Sequence, residues 1–249
     1  MFCRYIIYLK NYIKIEMSFP SITHHITSLN HWLFPQSCFL CGGISTKVVC
    51  TACLADLPFS DTTCQHCGKP SEEDVKECDR CRLAPPPYTH TQSVFSYAYP
   101  INTLIPAAKF HHNLAVLNLL GNLMGQFLTI EPRPDILVPV PLHRQRLRER
   151  GYNQSLELAK RITKMTGIPL ENKACKRIID TKAQTSLATA QERQDNLKGA
   201  FQLTRYKSDW QHIVLIDDVM TTGSTFTELA IVFKEAGIER VDVWCCARR

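Results

Sequence analysis

No apolar run long enough to cross a membrane occurs in the 249 residues, since a spanning helix needs about 20 consecutive apolar positions. Residues 1–16 are apolar but interrupted by Arg4, Lys10 and Lys14, and they lack a small-residue cleavage site, so a secretory signal is not expected. Met17 is the expected start of translation, with residues 1–16 untranslated. Without an export signal the expected compartment is the cytoplasm, where thiols stay reduced. No G-x-x-x-x-G-K pattern is present, which excludes a P-loop. No predicted helix is basic enough to read a nucleic-acid groove.

What is present bounds the answer. The length permits one large domain, or a medium one with a small appendage, and 45% hydrophobic residues suffice for a core. The formal charge of +6 is uneven: residues 133–205 hold 15 Lys/Arg against 7 Asp/Glu, a local excess of 8. Such a segment attracts phosphates or nucleic acid.

Cysteines dominate the first third. They form four C-x-x-C pairs, Cys38/Cys41, Cys50/Cys53, Cys64/Cys67 and Cys78/Cys81. Each pair can present two thiolates to one ion, and two pairs complete a closed tetrahedral shell, which is structural rather than catalytic. Eight cysteines therefore predict two zinc ions. The first four residues are assigned to one ion and the last four to the other, with an interleaved pairing as the alternative. A redox role for the pairs is disfavoured because four copies stand so close together. Gly42-Gly43 and Gly68 follow two of the pairs, where the chain must turn under the metal. The segment is poor in large apolar residues, so metal binding should supply its folding energy. His66, inside a complete pair, is expected to be a bystander.

Pro85-Pro86-Pro87 is a stiff spacer. The expected organisation is an N-terminal extension over 1–37, a cysteine-rich module over 38–84, a linker over 85–90 and an α/β domain over 91–249. In that domain Ser93–Tyr99 reads as a strand, with helices over Ile101–Phe110 and Leu114–Leu128. Gly121 and Gly125 in the second helix should permit close packing, and His111-His112 a solvated helix end. Asp135–Val140 reads as a buried strand, followed by a loop of alternating arginines, Arg144, Arg146, Arg148 and Arg150. Gly151-Tyr152-Asn153-Gln154 then opens a helix with Leu158, Ala159, Ile162 and Met165 on one face, ending at Gly167. Strand, basic loop, helix and strand make a βαβ unit with a right-handed crossover and a parallel sheet. Lys176–Ile179 and Val241–Cys245 are further strands, and the long polar connection after residue 180 is a binding loop or lid. Cys175, Cys245 and Cys246 read as core.

The most informative stretch is HIVLIDDVMTTGST, residues 212–225. Ile213–Ile216 is too short for a helix and rich in β-branched residues, as in a strand buried on both faces. Asp217 and Asp218 stand where the strand ends. A hydroxyl-rich turn follows, Thr221-Thr222-Gly223-Ser224-Thr225, and then a helical stripe of Phe226, Leu229, Ala230 and Phe233. A tight turn into a helix N-terminus points N–H groups and positive potential at whatever lies above it, which suits a phosphate. Carboxylates would repel that phosphate but accept from sugar hydroxyls a few ångströms away, so a ribose 5-phosphate fits.

IVLIDDVMTTGST resembles the phosphoribosyl pyrophosphate (PRPP) signature of type I phosphoribosyltransferases. With the four C-x-x-C pairs, Lys109-Phe110, Val138–Pro141, Arg150-Gly151-Tyr152-Asn153-Gln154 and the series Arg177, Gln184, Leu187, Arg193, Asn196-Leu197, the chain resembles the ComF/GntX family, a double zinc ribbon joined to a phosphoribosyltransferase-like domain. That resemblance implies a type I phosphoribosyltransferase-like parallel sheet with flanking helices behind a zinc-ribbon domain. It implies that Asp217 and Asp218 hold the ribose hydroxyls and favour positive charge on the ring. Thr221, Thr222, Gly223, Ser224 and Thr225 would anchor the 5-phosphate. Arg144 and Arg150 would meet the pyrophosphate with Mg²⁺, and Gln184, Arg193 and Asn196 would belong to a lid. Met220 is bulkier than many residues at its place and should point away from the phosphate. The family is tied to natural competence and DNA uptake, so single-stranded DNA and competence proteins are the expected partners. The competing expectation is a non-catalytic module that binds single-stranded DNA or a partner protein through its ribbons and basic loops, with Tyr152, Tyr206 and Trp210 available for base stacking.

Overall fold

A computed structural model describes residues 37–110, 113–180 and 197–249. His111, His112, the lid candidates Gln184, Arg193 and Asn196, and residues 1–36 lie outside the described residues. The chain divides into two compact units, Met1–Asp56 and Leu57–Arg249.

In the first unit, the described residues carry the first four cysteines and one short helix, α1 (Thr51–Ala55), which starts immediately after Cys50. The second unit begins with the remaining four cysteines and a matching short helix, α2 (Asp79–Leu83), which starts immediately after Cys78. The chain then runs β1 (His90–Ser96), α3 (Ile101–Phe110), α4 (Leu114–Phe127), β2 (Ile136–Pro139), α5 (Arg144–Arg150) and α6 (Gln154–Thr166). A small hairpin follows, β3 (Cys175–Arg177) and β4 (Phe201–Leu203). It leads to β5 (His212–Met220), α7 (Ser224–Glu235) and β6 (Arg240–Arg248).

The main sheet has the order β1-β6-β5-β2, and every pairing in it is parallel. β5 lies inside the sheet, so Ile213–Ile216 are all fully buried, as a strand covered on both faces requires. One face, carrying Ile213, Leu215, Val241 and Val243, packs on Phe226, Leu229 and Phe233 of α7. α6 covers β2 and β5 on the other side, with α4 laid along it. Cys175, Cys245 and Cys246 are buried, as expected of core filler.

The stretch of alternating arginines is a helix rather than a loop. Arginine, glutamine, leucine and glutamate are all strong helix formers, so an arginine at every second position does not impose extended backbone. The His143 side chain accepts from the Gln145 N–H at the start of α5, and Gly151 (φ 76°) closes its end. The last strand runs on to Arg248, three residues beyond the expected limit, and β1 starts at His90, three residues earlier than expected.

Gly121 and Gly125 differ in what they permit. A Cβ at Gly121 would stand 2.8 Å from Arg161 Cβ and 3.4 Å from Leu158 Cα, both close to the backbone of α6. At Gly125 the nearest atom is the flexible Met165 sulfur, 2.8 Å away. Replacing Gly121 by alanine is therefore expected to destabilise the protein by about 1–2 kcal/mol, overpacking outweighing the gain in helix propensity. Gly125→Ala is expected to be neutral or stabilising. Urea melts of the two variants check this ordering, and a Gly121→Ala melt at or above wild type contradicts it.

Candidate functional site

β5 delivers Asp217 and Asp218 into a cavity of about 590 Å³. Two adjacent carboxylates in a low-dielectric setting repel each other, and the surrounding residues answer that charge. The Lys109 ammonium, from the last turn of α3, lies 2.8 Å from Asp218 Oδ2. Ser155 Oγ–H donates to Asp217 Oδ1 (2.7 Å), as does the Asp218 N–H (2.9 Å). The Val219 N–H donates to Asp218 Oδ1 at 2.7 Å. Burial opposes the charge on Lys109, but the Asp218 carboxylate more than offsets it and holds the ammonium pKa above its ordinary value. Asp217 goes the other way: burial first, then the Asp218 charge, push its carboxyl up to about 7.

The same cavity is also lined by basic residues. Arg146 and Arg150 of α5 and Arg177 of β3 line it, as do Glu149, Phe110 and Leu142. Arg150 sits over the Phe110 ring, 5.4 Å from its centroid, and donates to Gln154 Oε1 at 2.8 Å. Burial, followed by the nearby Arg146 charge, lowers the Arg177 guanidinium to about 10. Positive groups held together at a cost of this kind are relieved by an anion.

The run from Arg150 to Ser155 explains itself residue by residue. Arg150 faces the cavity, and Gly151 takes the left-handed conformation that stops α5. Tyr152 O–H donates to the Ala108 carbonyl of α3. Asn153 caps α6 by accepting from the Ser155 N–H (3.0 Å) and ties the helix to the end of β2 by donating to the Val140 carbonyl (3.0 Å). Gln154 orients Arg150, and Ser155 orients Asp217.

The hydroxyl turn follows β5. Gly223 has φ 85° and no side chain to cap α7, a 12-residue helix, and the Ser224 N–H of its first turn donates to Thr222 Oγ1 at 3.4 Å. Thr222 Oγ1 and Ser224 Oγ are hydrogen bonded to each other at 2.7 Å. A Cβ at Gly223 would meet Tyr88 Oη and Met220 Cε, each at 2.9 Å, so only glycine fits. Met220 is buried in the core beneath the turn. Of the residues singled out in the sequence, Asp217, Asp218, Arg150 and Thr225 line the cavity; Thr221, Thr222, Gly223 and Ser224 form the adjoining turn, and Arg144 is exposed and does not line it.

Sequence reasoning gave no role to Lys109, Ser155 or Arg177, whereas Arg146 belongs to the arginine series expected to meet phosphate. Lys109 and Arg177 stand among the residues that carry the family resemblance, which was the available signal. Nothing in the sequence distinguishes Ser155 from any other helix-opening serine.

The eight cysteines come together as two separate tetrads, Cys38/Cys41/Cys50/Cys53 and Cys64/Cys67/Cys78/Cys81, with all four sulfurs of each within 4.8 Å of one another. The interleaved pairing is thereby excluded. Sulfur–sulfur separations of 3.8 Å (Cys41–Cys50), 3.8 Å (Cys67–Cys78) and 4.0 Å (Cys64–Cys81) rule out disulfides. They match the edge of about 3.8 Å that follows from a tetrahedral shell with Zn–S bonds of about 2.3 Å. Each tetrad also has a main-chain donor to sulfur, Cys50 N–H to Cys38 Sγ (3.3 Å) and Cys78 N–H to Cys64 Sγ (3.2 Å). Burial works against ionisation at Cys38, yet N–H donors from Cys50, Cys41 and Leu40 outweigh it and bring the thiol down to about 6. His66 is no ligand: its Nε2 bonds the Tyr88 carbonyl at 2.7 Å.

A family model described as a double zinc ribbon domain matches residues 29–82. The DNA utilization protein YhgH of Salmonella typhi is 34% identical over 223 residues, spanning 86% of this chain and 97% of that protein. Competence protein F of Haemophilus influenzae is 31% identical over 226 residues, spanning 86% and 98%. Competence protein ComFC of Bacillus subtilis is 25% identical over 197 residues, spanning 76% and 79%. Among solved structures, a purine phosphoribosyltransferase from Pyrococcus horikoshii aligns with 53% of this chain and 82% of its own at a TM-score of 0.32 and 16% identity, too slight a likeness to carry an argument.

The raised Asp217 pKa sets a pH dependence. An acid lifted from 3.8 to about 7 on folding favours the folded state when protonated, so this contribution is fully present below pH 3.8 and is lost as pH rises to about 7. Asp217→Asn is expected to abolish that slope. Thermal melts at pH 5 and pH 8 test it: the variant should gain on wild type at the higher pH, and parallel curves would refute the assignment.

Proposed function

The chain belongs to the ComF/GntX family, and from that membership and the cavity chemistry we propose that it binds a ribose 5-phosphate, PRPP foremost, as part of handling DNA. The observation that carries the proposal is the gathering of both charge signs in one cavity: Asp217 and Asp218 line it together with Arg146, Arg150 and Arg177, and Thr225 at the start of α7 lines it as well. A ligand that satisfies all three must carry hydroxyl donors near one end and phosphates at two separate points. PRPP has that shape.

In this reading the amides and hydroxyls of Thr221–Thr225 take the 5-phosphate. The acid pair takes the ribose hydroxyls, and the arginines take the pyrophosphate by charge-assisted, fork-shaped contacts. Mg²⁺ would arrive with the pyrophosphate, since it binds few protein groups and keeps most of its ligands from phosphate and water. Lys109 is the counter-ion that makes two neighbouring carboxylates tolerable before the ligand arrives. Transfer of phosphoribose to an acceptor would need only orientation and electrostatic stabilisation from these groups, with no side-chain nucleophile. The two cysteine tetrads, by their spacing, would hold one structural zinc each.

A second reading concerns DNA directly. Relatives of this chain carry the names competence protein and DNA utilization protein. Arg144 and Arg148 are exposed on α5, the helix whose Arg146 and Arg150 line the cavity, and can follow a phosphate backbone. The aromatic residues expected to stack on bases favour it less. Trp210 is buried with Tyr206 against its edge, and Tyr152 is engaged with Ala108.

Isothermal titration of PRPP with Mg²⁺ tests the first reading: wild type should bind, and the double replacement Asp217→Asn, Asp218→Asn should weaken binding by about tenfold or more. No wild-type heat, or an unchanged variant, would sink it. Elemental analysis should find two zinc ions per chain, and one or none contradicts the tetrad assignment. Binding of single-stranded DNA should fall steeply with added salt and less steeply in Arg144→Ala, Arg148→Ala. A salt-insensitive or absent interaction removes the second reading.

A further inference from the structure

The two cysteine modules repeat each other closely. In each, the N–H of a glycine four residues after the first cysteine bonds back to that cysteine's carbonyl, Gly42 to Cys38 (2.9 Å) and Gly68 to Cys64 (2.8 Å). In each, the third cysteine immediately precedes a one-turn helix that contains the fourth. The second module alone belongs to the unit that holds the cavity.

Its first knuckle, Gln65–Gly68, gives up its carbonyls to the main sheet one after another. Gln65 O accepts from the Thr91 N–H (2.9 Å), His66 O from Thr91 Oγ1 (2.7 Å) and Cys67 O from Arg248 Nε (3.0 Å). The fit leaves no slack: a Cβ at Gly68 would lie 2.6 Å from Thr91 Cγ2. The His66 ring bonds the Tyr88 carbonyl, and Tyr88 Oη closes over Gly223 of the hydroxyl turn.

Arg248 is the joint between the two. It is the last residue of β6, only 4% exposed, and each of its hydrogen bonds goes to a main-chain carbonyl. Nε holds Cys67 in the knuckle. One terminal nitrogen holds Met220 (3.1 Å), Thr221 and Arg249. A guanidinium is suited to this because its planar fork serves several acceptors at once without deprotonating. A buried cation satisfied only by carbonyls is expensive to assemble, and removing it would leave those carbonyls unpaired.

We propose that Arg248 is a positioning residue that couples the second cysteine tetrad to the Thr221–Thr225 turn, so that occupancy of that metal site holds the anion-binding turn in its bound geometry. Loss of metal from Cys64/Cys67/Cys78/Cys81 frees the knuckle, releases Cys67 O from Arg248, and loosens Thr221 at the other end of the same guanidinium. The coupling itself is a property of the ligand-free protein. Its consequence for affinity rests on the ribose-phosphate reading.

Amide hydrogen exchange on the full chain, without ligand, is the test. In Arg248→Met with its zinc content unchanged, amides of residues 221–225 should exchange about tenfold or more faster, while β1 and β5 keep their protection. Arg248→Lys, with its compact ammonium in place of the fork, should fall between. Exchange within twofold of wild type, or loss of protection spread evenly over β1, β5 and β6, overturns the proposal. Should Arg248→Met fail to fold, wild type decides: as a chelator strips zinc, exchange at 221–225 should rise together with that at 65–68 and independently of that at 39–42. A turn that stays protected after 65–68 has opened overturns the coupling. Ribose 5-phosphate titration of Arg248→Lys should then show weaker binding. Absent binding by wild type with the exchange result intact refutes the ligand and leaves the coupling standing.

Discussion

Two carboxylates side by side at the end of a buried strand are the constraint around which the second unit is arranged. Neither can be ionised there without help, and the help comes from three directions in the fold. α3 brings the Lys109 ammonium, α6 brings the Ser155 hydroxyl, and the strand's own next amides donate to both acids. A pair held in this way, with Asp217 pushed up to about 7, trades stability for a site whose charge a ligand can exploit. The helices that supply these groups are in turn fixed by the packing of α4 on α6 and by the Asn153 cap that ties α6 to β2.

The same logic runs through the basic wall. Arg146, Arg150 and Arg177 stand together although their charges repel, and Arg150 is braced by Gln154 and by the face of Phe110. Carboxylates and guanidinium groups lining one cavity can meet a ligand that carries both anionic and hydroxyl groups.

The cysteine modules show how one local motif acquires two roles. Both carry the same knuckle, the same donor to sulfur and the same short helix. In the second, Cys64, Cys67 and Cys81 are buried, whereas Cys41 of the first is exposed. Burial follows from where the knuckle carbonyls go: to Thr91 and Arg248, hence to the sheet.

Much of this was legible in the chain itself. Periodicity and β-branching located the buried strand 213–216, the acid pair, the hydroxyl turn and the helix beyond it, because those features depend on neighbours in sequence. Cysteine spacing located the four half-shells for the same reason, since each is four residues long, while the fold decided which pairs share a tetrad. The arginine series misled: alternation suggested a loop, but helix propensity and the His143 and Gly151 ends prevailed in α5. What only tertiary structure decided were the partners across the fold. Lys109 meets Asp218, Ser155 meets Asp217 and Arg248 meets Cys67 over separations of 109, 62 and 181 residues. Such contacts leave no local pattern, because a lone lysine, serine or arginine looks the same in sequence whether it faces water or completes a buried charge.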